Sequence, residues 1–326
     1  MSPGRRLSTV LVALAIVLPV CLAGWSAWQS ARRTDTGRAP GASSPTAPPT
    51  GSAESGGPGS PEGSGAPGGD DEPLRGTVVV LDPGHNPGNH RHTREIARRV
   101  DVGTHRKECD TTGTATDSGY AEASFTLDVA RRARAILERR GAEVEFTHDG
   151  DRPYGPCIDE RARAGNEAGA DAVVSVHADG SGEGHRGFHV ILPARVREGA
   201  ADTRRITGPS RRLGEHIADA FAGATGSEPA GYLGRAAAET GLVTRGDLGG
   251  LNLSRVPKVF LECGNMRDPR EARRLTDPAW RERAARGIAD GLTAYLRGER
   301  DGGRDGEEAV TDRENPPDSA GRPSVR

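Results

Sequence analysis

Two histidines and two glutamates in this 326-residue chain are of the types that metal-assisted hydrolysis needs. His85, His177 and Glu262 each follow closely on a short apolar run, and Glu122 opens a stretch of helical periodicity. Two imidazoles and a carboxylate can hold a zinc ion with one coordination position left open, and a further carboxylate nearby can carry a proton to and from the reacting atoms. Spacing by itself does not decide for that chemistry. The ligand candidates are 37 and 55 residues apart, so no local signature such as HExxH vouches for them, and a histidine after a strand is more often a satisfied structural residue.

The elements that must position these residues can be read from the pattern. Gly76 to Leu81 is a β-branched run stopped by Asp82-Pro83-Gly84, which reads as a buried strand with His85 past its C-terminal end. Between Tyr120 and Arg140, Phe125, Val129, Ala133, Ile136 and Leu137 keep helical spacing up to Gly141, with Glu122 in the first turn. Further strands are expected at 143–146, at 172–176 running into His177, at 188–192, and at 259–261 running into Glu262. Helices are expected at 159–168, 211–224 and 278–296. The alternation implies an α/β, three-layer sandwich with a central, largely parallel mixed sheet flanked by helices. In open sheets of this kind sites collect at the carboxyl ends of strands, where His85, His177 and Glu262 all fall.

Composition confines the fold to the middle of the chain. Gly and Pro number 69, about 21% of the residues against a usual share of roughly 12%, and residues 34–73 hold 18 of them in 40 positions. That stretch reads as a disordered linker about 35 Å from end to end, and residues 298–326 as a disordered tail. Residues 74–297 are left as one domain. Ahead of the linker, Arg5 and Arg6 precede an apolar run from Leu7 to Trp28, about 20 residues and long enough to span a bilayer. Residues 1–33 are therefore expected to be a signal anchor or signal peptide, with the domain outside the cytoplasm, held at the plasma membrane or secreted. The 44 basic and 46 acidic residues are interspersed for a net charge of -2, which argues against nucleic acid as a partner.

The words around the four residues carry more than their spacing. LDPGHNPGN (81–89), SGYAEASFTLDVARRARAILERRGAEV (118–144), ERARAGNEAGADAVVSVHAD (160–179) and KVFLECGN (258–265) resemble, in order, the motifs of the zinc-dependent N-acetylmuramoyl-L-alanine amidases, sometimes called amidase type 3. The resemblance covers about residues 77–297 and looks most like the actinobacterial branch. It implies that His85, Glu122 and His177 bind Zn2+, that Glu262 is the catalytic glutamate, and that Arg245, in TRGDLGGLNL, lies beside the cleft as a substrate-binding residue. The reaction implied is hydrolysis of the amide between the lactyl group of N-acetylmuramic acid and L-alanine, in peptidoglycan or muropeptides. Independently of the resemblance, a monomer is expected. Two departures stand beside it. Asn265 and Asp268 replace residues that the family often has as an aromatic and an asparagine, and the polar insert at 90–117 is longer than in the shortest members, as a lid, a hairpin or a loop.

Two alternatives belong to other classes: a wall-binding or regulatory protein that keeps the fold without turnover, and a cysteine hydrolase built on Cys263. Asp82 can orient an imidazole or simply make the Asp-Pro-Gly turn. Arg161 and Asn166 match family positions, but a helix-surface arginine and a capping or packing asparagine explain them as well. His90, His92 and His105 read as exposed loop residues, and His185 and His189 have no partner at ligand spacing. Of the exported cysteines, Cys109 and Cys157 are expected to pair, closing a loop of about 49 residues for roughly 3–4 kcal/mol, while Cys263 reads as a small buried hydrophobe.

Overall fold

The computed structural model describes residues 72–311. The expected signal segment at 1–33, residues 34–71 of the linker and the tail after 311 lie outside the described residues. In chain order the strands are β1 (Val78–Pro83), β2 (Arg99–Asp101), β3 (Arg106–Glu108), β4 (Glu143–Phe146), β5 (Ala172–Asp179), β6 (His189–Pro193), β7 (Arg197–Glu198), β8 (Ala201–Asp202), β9 (Leu242–Arg245) and β10 (Lys258–Asn265). The helices are α1 (Thr93–Ile96), α2 (Glu122–Arg139), α3 (Ile158–Glu167), α4 (Thr207–Thr225), α5 (Arg235–Thr240), α6 (Gly249–Asn252), α7 (Pro269–Thr276) and α8 (Pro278–Thr311).

Six strands form the central sheet in the order β4-β1-β5-β10-β6-β9. Neighbours are parallel except β10 and β6, so the mixed, mostly parallel sheet between helices is as the sequence implies. Alternation of side chains along each strand sorts the two faces. Val79, Leu81, Val174, Val176, Val259, Leu261, Val190 and Leu192 form one face, buried beneath Phe125 of α2, Leu213 and Phe221 of α4, and Trp280 and Ile288 of α8. The opposite face carries Asp82, Ser175, His177, Phe260 and Glu262. Its lower end holds a small apolar cluster of Val80, Val173 and Ala170, against which Gly165 of α3 packs: a Cβ there would come within 2.9 Å of Val173.

Strand ends and the last helix differ from the sequence reading. β5 and β10 run on to Asp179 and Asn265, so His177 and Glu262 stand inside their strands and not beyond them. The apolar pattern stops at Val176 and Leu261, but the backbone ladder is indifferent to side-chain polarity and continues, with a register shift between Glu262 and Asn265. α8 extends to Thr311, so the boundary placed at residue 297 falls within a helix. Extending a helix adds a hydrogen bond per residue at little cost, and Glu299 is held by Arg212 at 2.7 Å while Arg300 donates to the carbonyls of Pro73 and Arg75. Among the described residues no helix is long and apolar enough to cross a membrane.

The 90–117 insert contains α1 and the β2–β3 hairpin. Its base is fixed by the Cys109–Cys157 disulfide, the pair expected from their place in loops of an exported domain, with Cα atoms 4.3 Å apart. Val102 of the hairpin packs so closely on α6 that a Cβ on Gly249 would lie 2.4 Å from it. His90 and His105 are exposed, while His92 is half-buried with its ring 5.1 Å from that of Tyr154.

Candidate metal centre

His85, Glu122 and His177 converge until one donor atom from each lies within 4.8 Å of the others. Glu122, first residue of α2, is the hub. Its Oε1 is 3.0 Å from His177 Nδ1 and its Oε2 3.3 Å from His85 Nε2. Backbone amides of Thr114 and Ala178 donate to the same two oxygens at 2.9 and 3.2 Å. His85 Nδ1 is 3.2 Å from Asp110 Oδ1 and 3.1 Å from the Thr111 carbonyl, two acceptors that hold a proton on this nitrogen, so that with a metal bound Nε2 would be the one to offer its lone pair. Phe260 stacks on His177 with ring centroids 5.2 Å apart and planes 6° from parallel. Two glycines leave the room: a Cβ on Gly84 would fall 2.4 Å from the His177 ring, and one on Gly113, at φ +71, within 2.7 Å of His85 and 2.8 Å of Glu122.

The electrostatics of this cluster suit a cation. Burial opposes charge on His85, yet the carboxylates of Glu122 and Asp110 overcome it and push the imidazole up to about 10. Burial would likewise raise Glu122, but the two histidines hold it well below the usual carboxylate range. A field that stabilises an added proton this strongly also stabilises a divalent ion among the same donors, with the imidazoles then neutral.

A buried quartet of charges supports His85 from below. Asp110 Oδ2 accepts from Asn89 Nδ2 and from Arg161 Nη2, both at 3.0 Å. Arg161 Nη1 donates to Asp82 Oδ1 at 2.8 Å and to the Pro83 carbonyl at 2.6 Å. Lys258 Nζ donates to Asp82 Oδ2 at 3.0 Å, which Ser175 Oγ also reaches at 2.8 Å. All four charged side chains are buried. Burial disfavours the charge on Asp82 and Asp110, but Lys258 and Arg161 hold Asp82, and Arg161 and His85 hold Asp110, far below the ordinary range.

Several sequence readings change here. Arg161 is not a surface residue: it lies on the inner side of α3 and joins two carboxylates. Among the described residues Asp82 bonds no imidazole; it is joined to His85 through Arg161, which donates to the His85 carbonyl at 3.1 Å and to Asp110. Asp110 and Lys258 were missed, although Asp110 adjoins a paired cysteine and Lys258 is one of only two lysines in an arginine-rich chain, set at the head of an apolar strand. Asn166 clamps the turn before β10, donating to the Leu253 carbonyl and accepting from the Arg255 amide. Asn265 holds the 182–185 loop by its carbonyls, and Asp268 caps α7 and pairs with Arg186. Cys263 points into the apolar core, where burial and the charges of Glu262 and Glu122 keep its thiol protonated, which removes it as a nucleophile.

Glu262 is half-buried and stands in register between His177 on β5 and His189 on β6. Burial, then the carboxylates of Glu122 and Asp179, push its carboxyl well above the usual range. A cavity of about 340 Å³ opens over Glu262, the three converging side chains and Arg245. Arg245, at the end of β9, has its fork on Asp247 at 2.9 and 2.6 Å. A second cavity of about 510 Å³ lies under the β2–β3 hairpin, and both cavities are lined by His85, His177 and Phe260. His189 is buried, its Nδ1 has no partner among the described residues, and its pKa falls to about 4 through burial.

The N-acetylmuramoyl-L-alanine amidase family model matches residues 79–294. The chain is 35% identical over 224 residues to the N-acetylmuramoyl-L-alanine amidase Rv3717 of Mycobacterium tuberculosis, spanning 68% of this chain and 88% of that protein. The chain belongs to the N-acetylmuramoyl-L-alanine amidase family. Among solved structures, the amidase resembles Ami1 of Mycobacterium smegmatis, with 38% identity and a TM-score of 0.62 over 68% of this chain and 98% of that one. Ami1 of Mycobacterium abscessus, in its apo form, is matched at 39% identity with the same TM-score over 68% of this amidase and 100% of that chain.

Proposed function

We propose that this amidase hydrolyses the amide between the lactyl group of N-acetylmuramic acid and L-alanine, using zinc held by His85 Nε2, Glu122 and His177. The observation that carries the reading is the convergence of three donors within 4.8 Å on a cavity that Glu262 also lines. Zinc in a site of two imidazoles and one carboxylate supplies Lewis acidity towards both water and a carbonyl oxygen. The chain's own residues supply the rest. Asp110 and the Thr111 carbonyl keep the His85 ring in the tautomer that leaves Nε2 free. Glu262 takes a proton from the attacking water and gives it to the departing nitrogen of L-alanine, and its raised pKa suits it to both transfers. Arg245, steadied by Asp247, donates a hydrogen bond to substrate at the rim of the smaller cavity.

We place the reaction outside the cytoplasm. A structural disulfide persists in an oxidising compartment, and the apolar run from Leu7 to Trp28 with the Gly/Pro-rich stretch behind it would hold the domain near the membrane on a tether. Digestion of purified muropeptides by the full chain, followed by mass spectrometry, tests the reading. Free stem peptides beginning with L-alanine are expected, lost on chelation, restored by zinc, and absent with Glu262→Ala. Intact muropeptides with zinc demonstrably bound would assign the chain to binding without turnover.

A further inference from the structure

We propose that His189 is a positioning residue for Glu262: its imidazole Nδ1 donates to one oxygen of the carboxylate and leaves the other turned towards the attacking water. The inference rests on the amidase reading above and deepens it. His189 opens β6 and pairs directly with Glu262 of β10. Residues directly opposite in an antiparallel pair point to the same face with Cβ atoms about 4.5–5.5 Å apart, which a glutamate and an imidazole can bridge between them. Two positions on, Ile191 lies on that face as well and lines the same cavity as Glu262. Val190 and Leu192, which alternate with them, belong to the apolar core.

Each member of the pair lacks what the other offers. His189 is 6% exposed, and its Nδ1 has no hydrogen-bond partner among the described residues. Among the same residues none donates to the Glu262 carboxyl, on which only burial and neighbouring charges act. The other charged groups that the ring feels, Asp179 and Arg245, are already engaged: Asp179 accepts from the Tyr232 hydroxyl, and Arg245 has its fork on Asp247. Burial keeps the imidazole neutral, so it carries one N–H and one lone pair, and a buried polar atom left unmet is costly. An aliphatic side chain like that of Ile191 would fill the place without stranding a nitrogen. Glu262 is half-buried, and a turn of its side chain about its own bonds closes the pair. One carboxylate oxygen is then fixed by the imidazole, which keeps its proton throughout. The other takes the proton from water and passes it to the departing nitrogen, without the carboxyl having to be oriented anew between the two transfers.

The test makes two measurements on the zinc-loaded full chain. Histidine-selective nitrogen NMR follows the His189 ring, its signals identified by their loss in His189→Asn, in the unmodified protein and in Glu262→Ala. Removing the carboxyl is expected to shift the Nδ1 resonance and to speed exchange of its proton with water, and ring nitrogens that do not respond would overturn the proposal. Hydrolysis of muramyl dipeptide is then compared across His189 variants. His189→Phe keeps a ring and loses both nitrogens, and is expected to lower kcat about ten- to hundred-fold with KM and bound zinc almost unchanged. His189→Asn, whose amide nitrogen stands close to the place of Nδ1, is expected to restore part of the loss. An unchanged kcat in His189→Phe overturns the proposal, and so does an equal loss in both variants together with a fallen thermal midpoint, the mark of a structural role. Where His189→Phe does not fold, His189→Asn and the NMR comparison decide. If Glu262→Ala moves the His189 signal while the unmodified protein cuts no muramyl substrate, the pairing stands and the amidase reading fails.

Discussion

The two faces of the central sheet are both buried, and they are held in opposite ways. Under α2, α4 and α8 the contact is aliphatic and aromatic, with Phe125, Phe188, Phe221 and Leu213 fully enclosed, and each side chain contributes by leaving water. On the other face Asp82, Arg161, Lys258 and Asp110 are as thoroughly enclosed, and stability there depends on every charge keeping its partner. The first face tolerates small errors one at a time. The second is close to all-or-none, and it is the one that carries His85, His177 and Glu262. The chemistry of the site is placed where a missing partner is most costly, and the silent face supplies the rigidity.

Substitutions can break that contrast or sharpen it. Glu262→Gln is expected to lower kcat by about 10²- to 10⁴-fold while leaving the thermal midpoint almost where it was, because Glu262 is only half-buried and belongs to neither network. A large fall in midpoint would show the site and the quartet to be one structural unit. Arg161→Ala, which strands two carboxylates, is expected to cost about 3–5 kcal/mol in urea unfolding at pH 7, and Phe221→Ala about the same through a cavity. Acid tells them apart. Asp82 and Asp110 are held below their unfolded range, so their contribution is present above about pH 4 and fades as pH falls through it. The Arg161→Ala penalty should shrink in acid and the Phe221→Ala penalty should not.

Smaller effects probe the borders of the two regions. Replacing Cys109 and Cys157 together by serine is expected to cost roughly 3–4 kcal/mol in the chain-entropy view, measured in denaturant. Arg245→Ala is expected to raise KM by about three- to ten-fold with little change in kcat, and an equal fall in kcat would move Arg245 into the transition state's own contacts.

The apolar face was almost wholly legible from the sequence, because periodicity reports burial directly: Phe125, Val129 and Leu137 mark α2, and the β-branched runs mark β1, β5 and β10. The ligand candidates were legible for a different reason, their place at strand and helix ends together with family wording. The quartet was not. Arginine is seldom fully enclosed, so Arg161 read as solvated, and its partner Asp110 lies 51 residues away within an insert of no periodicity. A pair of buried charges has no signature in either segment alone. Strand ends failed for a related reason, since His177 and Glu262 interrupt the apolar pattern without interrupting the ladder.

Gly84 and Gly113 carry no chemistry, yet they delimit the space in which the three converging side chains meet. A single methyl group at either position would push against the His177 ring or against His85 and Glu122. If those side chains act as proposed, the number of genetic changes that can silence such an enzyme is larger than the number of its reactive residues, and a chain that keeps all four proposed residues can still lose its activity by drift at two featureless ones.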